Sequence, residues 1–160
     1  MDYTDDLYHR WYNCPGESLE PVDRDPARHG TALTCLLLRL APGTAVYVVR
    51  VARDSSGLED ASGIIGKDIL HAIKELDVDI VSVSFGFLDE VESIGDAIVE
   101  AERIKGRKVP FFAVANNDGL NGPEIFPAFA EHVIAIRGTN HDGSFISQYN
   151  LRSRNHKAGS

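Results

Sequence analysis

His29 stands at the mouth of an otherwise almost wholly apolar stretch: residues 28–51 read RHGTALTCLLLRLAPGTAVYVVRV. A titratable ring in that position has two readings. It packs at the start of a helix, or it is a proton acceptor held at a helix N-terminus and aimed into a cleft. Other site chemistries find less support. The sequence contains no GxGxxG, and GIIGKD (63–68) fails as a phosphate loop, because Ala61 stands where that loop needs Gly and Asp68 where it needs Ser or Thr. The six histidines are scattered, with no HxxxH or HExxH pairing that would set two imidazoles on one helix face. NNDG (116–119) and NHDG (140–143) read as turns, since Asn, Asp and Gly tolerate positive φ. Their oxygen ligands also suit calcium, which is the one metal role this sequence offers; no organic cofactor is expected.

The elements that must position His29 follow from periodicity. GTALTCLLLRL (30–40) is apolar nearly all round and predicts a buried helix, stopped by Ala-Pro-Gly. TAVYVVRVA is β-branched and aromatic, a strand. After a loop at DSSGLEDASG (54–63), IIGKDILHAIKEL repeats apolar residues at Ile65, Ile69, Leu70, Ile73 and Leu76, a helical spacing. DVDIVSVSFG is a strand ending in Gly86. DEVESIGDAIVEAERIKG puts Ile94, Ala97, Ile98 and Ala101 on one helix face. KVPFFAVAN and HVIAIRG are further strands, and SFISQYN (144–150) is a candidate short one. Strands alternating with helices predict an α/β fold with a mostly parallel sheet, and continuous apolar strands agree with helices on both faces. Ligands of such sheets bind beyond the strands' carboxyl ends. Those ends are RVARD, SVSFGF and AVANNDG, and His29 can join them only if its helix points its N-terminus the same way.

Composition bounds the class. A chain of 160 residues is the size of one ordinary domain, and its 43% hydrophobic and 25% charged residues are those of a globular protein. A net charge of −8 argues against a nucleic-acid surface, which needs clustered Lys and Arg. No apolar run reaches the roughly 18 residues that span a membrane, so no membrane partner is expected. The opening MDYTDDLYHRW is acidic and lacks the apolar core of a signal peptide, which gives a cytoplasmic protein as the default. Cys14 and Cys35 share no metal or CxxC spacing, so a disulfide framework is not expected.

Acyl-transfer chemistry gathers several of these segments, since it needs a nucleophile, a base, a group that orients the base and donors for the oxyanion. RHGTALTCLLLRLAPGTAVYVVRVA resembles the catalytic-histidine segment of the subtilisin-like serine proteases, in which His-Gly-Thr opens a buried helix followed by Ala-Pro and a strand. DIVSVSFG resembles the family's strand ending in Ser-x-Gly, here Ser84, Phe85 and Gly86. VPFFAVANNDG resembles the strand leading to the oxyanion-hole asparagine, and FPAFAEHVIAIRGTNHDGSFISQYN is similar to the segment after it. The matches run in family order over about residues 25–150. Within the family, SVSFGF and AIRGTN are most similar to intracellular fungal domains carried in larger proteins.

The resemblance implies a subtilisin-like three-layer fold, incomplete at both ends, with a loop-rich segment at 1–27, a partial domain at 28–150 and a polar tail at 151–160. It implies a serine endopeptidase with a polypeptide substrate. In that reading His29 is the base, Asn117 the oxyanion donor, and Ser84, Phe85 and Gly86 the strand that pairs with substrate. Asn116 departs from the family, which usually has Gly there. Two further parts find no match: an apolar strand followed by Asp-Thr/Ser-Gly, and a Gly-Thr-Ser helix start. As written, the 160 residues are therefore expected to be inactive by themselves. The alternative is a non-catalytic pseudoprotease or α/β interaction domain, working with other domains of a larger protein.

Overall fold

The computed structural model describes residues 11–13, 28–52, 54–106, 108–116, 123–144 and 146. Five strands and three helices follow in the order β1 (Trp11–Asn13), α1 (His29–Leu40), β2 (Val48–Arg50), α2 (Leu58–Lys74), β3 (Val81–Val83), α3 (Glu92–Lys105), β4 (Phe111–Val114) and β5 (Val133–Ile136). Every strand pairing is parallel. Val81 lies opposite Phe111 and Val83 opposite Ala113, while Phe111 faces Val133 and Val114 faces Ile136, so β3, β4 and β5 form one sheet. β1 and β2 form a second, with Trp11 opposite Val48 and Asn13 opposite Arg50. Parallel strands need long return connections: α1 lies between the paired β1 and β2, and α3 between the paired β3 and β4. β1 is a short strand that the sequence reading does not anticipate. Tyr12 ties it to α2 by stacking on His71, ring centroids 4.4 Å apart.

The core lies between α2, α3 and one face of the larger sheet. Ile65, Ile69 and Ile73 of α2 meet Ile94, Ala97, Ile98 and Ala101 of α3, and Phe87, Phe111 and Phe126 close the cluster. Alternation along β4 produces this asymmetry: Phe111 and Ala113 are buried on the helix-pair side, whereas Phe112 and Val114 point the other way and are half-buried. On that second face α1 lies over the sheet. Leu33 joins Ser82, Ser84, Phe112, Val114 and Ile136 around a depression of about 220 Å³. Helices thus stand on both faces, in three layers.

Two expectations are corrected. α1 is not buried: none of its residues is, and Leu36 and Leu40 are 51% and 74% exposed. A helix apolar all round needs cover on two sides, and among the described residues only the sheet side has it. The segment 54–63 is not a loop. Asp54 Oδ1 accepts the amide N–H groups of Ser56 (3.0 Å) and Gly57 (3.2 Å), a short 3₁₀ turn follows, and α2 begins at Leu58. Ser62 and Gly63 disguise this first turn, but Glu59 and Asp60 suit a helix N-terminus, and Leu58 and Ala61 pack onto the core in step with Ile65. The expected strand at SFISQYN falls almost wholly outside the described residues. No described helix is long and apolar enough to cross a membrane. Cys35 is free and exposed on α1.

α2 and α3 meet closely because of Gly66. A Cβ there would lie 2.2 Å from the Ser93 carbonyl oxygen and 2.8 Å from its carbon. Ser93 Oγ, in turn, donates to the Ser62 carbonyl at 3.1 Å. The contact is backbone on backbone, so it cannot yield by a rotamer change. Two glycine substitutions in one helix are therefore expected to have opposite signs. Gly66→Ala should destabilise the chain by about 1–3 kcal/mol through overpacking, despite the better helix propensity of Ala. Gly63→Ala, exposed and with nothing within 4 Å, should stabilise it by about 0.5–1 kcal/mol. Urea unfolding midpoints of the two variants check this; a shift of the same sign in both would refute the packing argument.

Candidate active site

The carboxyl ends of β3 and β4 lie side by side, and α1 brings its N-terminus to them. Arg28, just before α1, takes the left-handed conformation (φ 49°, ψ 36°), which costs a residue with a Cβ about 1–2 kcal/mol. Its carbonyl accepts the Ala32 N–H at 2.9 Å, so the helix starts directly at His29. The ring then reaches across to the end of β3: His29 Nε2 lies 3.2 Å from the Ser84 carbonyl oxygen, 55 residues away in sequence. A carbonyl only accepts, so in this arrangement Nε2 carries the proton and donates it. The condition set by the sequence is met: α1 points its N-terminus toward the strand ends.

Ser84, Phe85 and Gly86 continue the line of β3 beyond its last paired residue. Phe85 packs its ring edge-on against Phe87, centroids 6.1 Å apart, and rests on the core. Phe87 and Phe126 exchange two backbone hydrogen bonds of 2.8 Å each, an isolated antiparallel bridge that fastens the segment after residue 123 to the end of β3. The sequence carries no periodic signal for that bridge; its partners are 39 positions apart and each sits outside a regular element.

At β4, Ala115 donates its N–H to the Ile136 carbonyl at 3.0 Å and accepts the Ile125 N–H at 2.8 Å. Asn116 follows, and its Nδ2 donates to the Pro123 carbonyl at 3.0 Å. That amide therefore holds together the two ends of the connection over residues 117–122. Asn117, expected as an oxyanion donor, lies outside the described residues. So of the residues singled out from sequence, His29, Ser84, Phe85 and Gly86 come together at one edge of the sheet, with Asn116 at the neighbouring strand end.

Charged groups with displaced protonation lie elsewhere. The hydroxyl of Ser144, with its amide N–H, holds the Asp142 carboxyl below the usual carboxylate range. This Asp142–Ser144 contact, with Gly143 at φ 81°, makes NHDG a turn. The Arg103 guanidinium likewise lowers Glu100 on the surface of α3. Among the described residues no three His, Cys, Asp or Glu side chains are grouped to hold a metal ion.

No protein-family model matches the chain. The chain is 34% identical over 129 residues to the subtilisin-like protease het-Q2 of Podospora anserina; the match covers 75% of this chain and 34% of that protein. The chain thus spans about a third of the length of the curated relative it matches. The fold is similar to that of the solved S41 psychrophilic protease, with a TM-score of 0.53 at 19% identity over 70% of this chain and 38% of the other. With extended sequence identity and a shared fold, the chain belongs, as a distant and partial homologue, to the subtilisin-like protease family.

Proposed function

We propose that this chain is the base-carrying part of a subtilase serine endopeptidase domain, which cleaves polypeptides by acyl transfer. The observation that carries the reading is the approach of His29 to Ser84 at 3.2 Å. It joins a proton-transferring ring to the strand end where an extended peptide would add by backbone pairing. In this mechanism a serine hydroxyl from outside the matched segments attacks the scissile carbonyl carbon. His29 takes the hydroxyl proton and returns it to the leaving amine as the C–N bond breaks. To accept that proton, Nε2 must first leave the Ser84 carbonyl, where it donates. Asn117 holds the oxyanion through its side-chain amide, a bond formed only as charge develops. The engagement of Asn116 with Pro123 supports giving that role to Asn117 and a structural one to Asn116.

A second reading, a non-catalytic pseudoprotease, is favoured by one observation: Asn116 stands where the family usually has Gly, directly before the oxyanion position, and its side chain is engaged with the Pro123 carbonyl. The two readings part on the flanking coding sequence, which carries the Asp-Thr/Ser-Gly strand and the Gly-Thr-Ser helix start only if the first holds.

Without a nucleophile, the 160-residue chain alone should not react with a fluorophosphonate probe, and mass spectrometry should find no adduct. Stoichiometric labelling of any serine would refute this. With the flanking segments supplied, His29→Ala should lower kcat by about 10³-fold or more, the loss expected for a triad base. Parental turnover in that variant would assign the base elsewhere.

In the same completed domain, Asn117→Ala should lower kcat by roughly 10²–10³-fold with KM little changed, because an oxyanion donor acts on the transition state. Asn116→Gly, which restores the family's residue, should leave kcat near parental and show its cost in thermal stability through the lost bond to Pro123. The reverse pattern would exchange the two roles.

A further inference from the structure

β5 is an edge of the larger sheet: among the described residues it pairs with β4 alone. The Ile136 carbonyl accepts the Ala115 N–H, so Ile136 directs its backbone groups toward the β4 side. Successive residues of such a strand direct them to opposite sides, which turns the N–H and C=O of Ala135 and the carbonyl of Val133 outward. Charge, proline or a bulge guards most exposed edges. VIAI has neither charge nor proline, and its register with β4 is unbroken. Ile134 and Ile136 are about half exposed on the face that α1 covers only in part, and Leu36 and Leu40 are exposed on that same side.

The charges that flank β5 decide what fits it. The Glu131 side chain, 89% exposed, stands three residues before Ile134, and Arg137 stands three residues after it. An identical strand laid antiparallel, with Ile134 opposite Ile134, brings each glutamate to the other strand's arginine. The same register sets Val133 opposite Ala135, so outward-facing groups meet outward-facing groups. One donor changes partner: the Val133 N–H, which makes a long 3.4 Å bond to the Ala130 carbonyl.

We infer that β5 is a self-association surface: two copies of this chain join their β5 strands antiparallel about a two-fold axis at Ile134, and two three-stranded sheets become one continuous sheet. The second copy is the occupant because the edge is complementary to itself, in charge as in register. Arg137 also meets Glu124 of its own chain, but a guanidinium has five N–H donors and serves both carboxylates. On the α1 side, Ile134 packs on its counterpart across the axis. The other edge, β3, lies at the far side of the sheet, so association leaves Ser84–Gly86 open in both copies and the inference stands apart from the peptidase reading.

Sedimentation equilibrium of the 160-residue chain should show a mass that rises with concentration from 17.5 kDa toward twice that value. Ile134→Lys sets two ammonium groups at the axis and should leave a monomer. Glu131→Lys sets like charges against each other at both ends of the strand pair and should weaken the dimer by about 3–10-fold; it carries the test alone if the first variant does not fold. Oxidation reads the register, in a chain that also carries Cys14→Ser and Cys35→Ser. Ile134→Cys should form an intermolecular disulfide, since opposed residues of a non-hydrogen-bonded antiparallel pair lie about 4.5 Å apart between Cα atoms. Ile136→Cys should not, because its counterpart lies about 14 Å away along the strands. A monomer at every concentration would overturn the inference and give the edge to another segment of the chain or to a different protein. So would a dimer unmoved by both lysine variants, or one that cross-links in the Ile136→Cys variant and not in Ile134→Cys.

Discussion

Parallel pairing of β3, β4 and β5 makes each strand end on the same edge of the sheet, and the connection from each strand to the next must return across one face. The returns from β2 and β3 are α2 and α3, and they lie together on one face because their isoleucines and alanines bury one another. The carboxyl ends of β3 and β4 are then adjacent, and a cleft beyond them is a consequence of the topology. His29 reaches that edge only because α1 lies on the opposite face with its N-terminus turned the same way. The contact of its ring with the Ser84 carbonyl ties the two layers at the site itself.

The two faces of the sheet differ in how completely they are covered. On the α2–α3 side, Ile94 and Ala101 have no exposed surface, and Gly66 lets the helices approach to backbone contact. On the α1 side, Leu33 alone joins the sheet residues around the depression, while Leu36, Leu37 and Leu40 and the β5 residues Ile134 and Ile136 remain exposed. The firmer half carries Ser84–Gly86; the looser half carries the histidine. An arrangement divided in this way has a firmly packed strand edge and a histidine whose position depends on what else packs on α1.

Much of the fold is legible in the sequence where local pattern and tertiary role coincide. Ile65, Ile69 and Ile73, with Ile94, Ala97, Ile98 and Ala101, repeat at helical spacing because they face one core. FFAV and VIAI read as strands because β-branched and aromatic residues suit the pleated surface of a sheet. The misreadings have equally local causes. Ser62 and Gly63 look like loop residues, but Asp54 holds the preceding turn and Leu58 has a place in the core, so the helix starts early. α1 reads as buried because its apolar residues are real, although the second surface they call for is not found among the described residues. Trp11–Asn13 has too few residues to establish a period. In the candidate site, His29 and Ser84–Gly86 were legible through short motifs on successive elements. The Phe87–Phe126 bridge was not, since its partners are 39 positions apart and both lie outside regular elements.

The state of His29 bears on the mechanism directly. A catalytic histidine must present one nitrogen to the nucleophile as an acceptor, and its other nitrogen must be held so that the ring neither turns nor changes tautomer. Here Nε2 is committed to donation, to a backbone carbonyl, from an exposed ring at the first residue of a sparsely covered helix. The sheet itself changes character close by: β2 and β3 are joined by α2 but do not pair, so the β1–β2 and β3–β4–β5 sheets remain separate. Val51, just past β2, and Val81 of β3 nevertheless pack against the same α2–α3 core, which keeps the two unpaired strands on one side of the helix pair. The geometry brings the His29 ring to the strand ends, and in the proposed mechanism proton acceptance requires that ring to turn away from the Ser84 carbonyl.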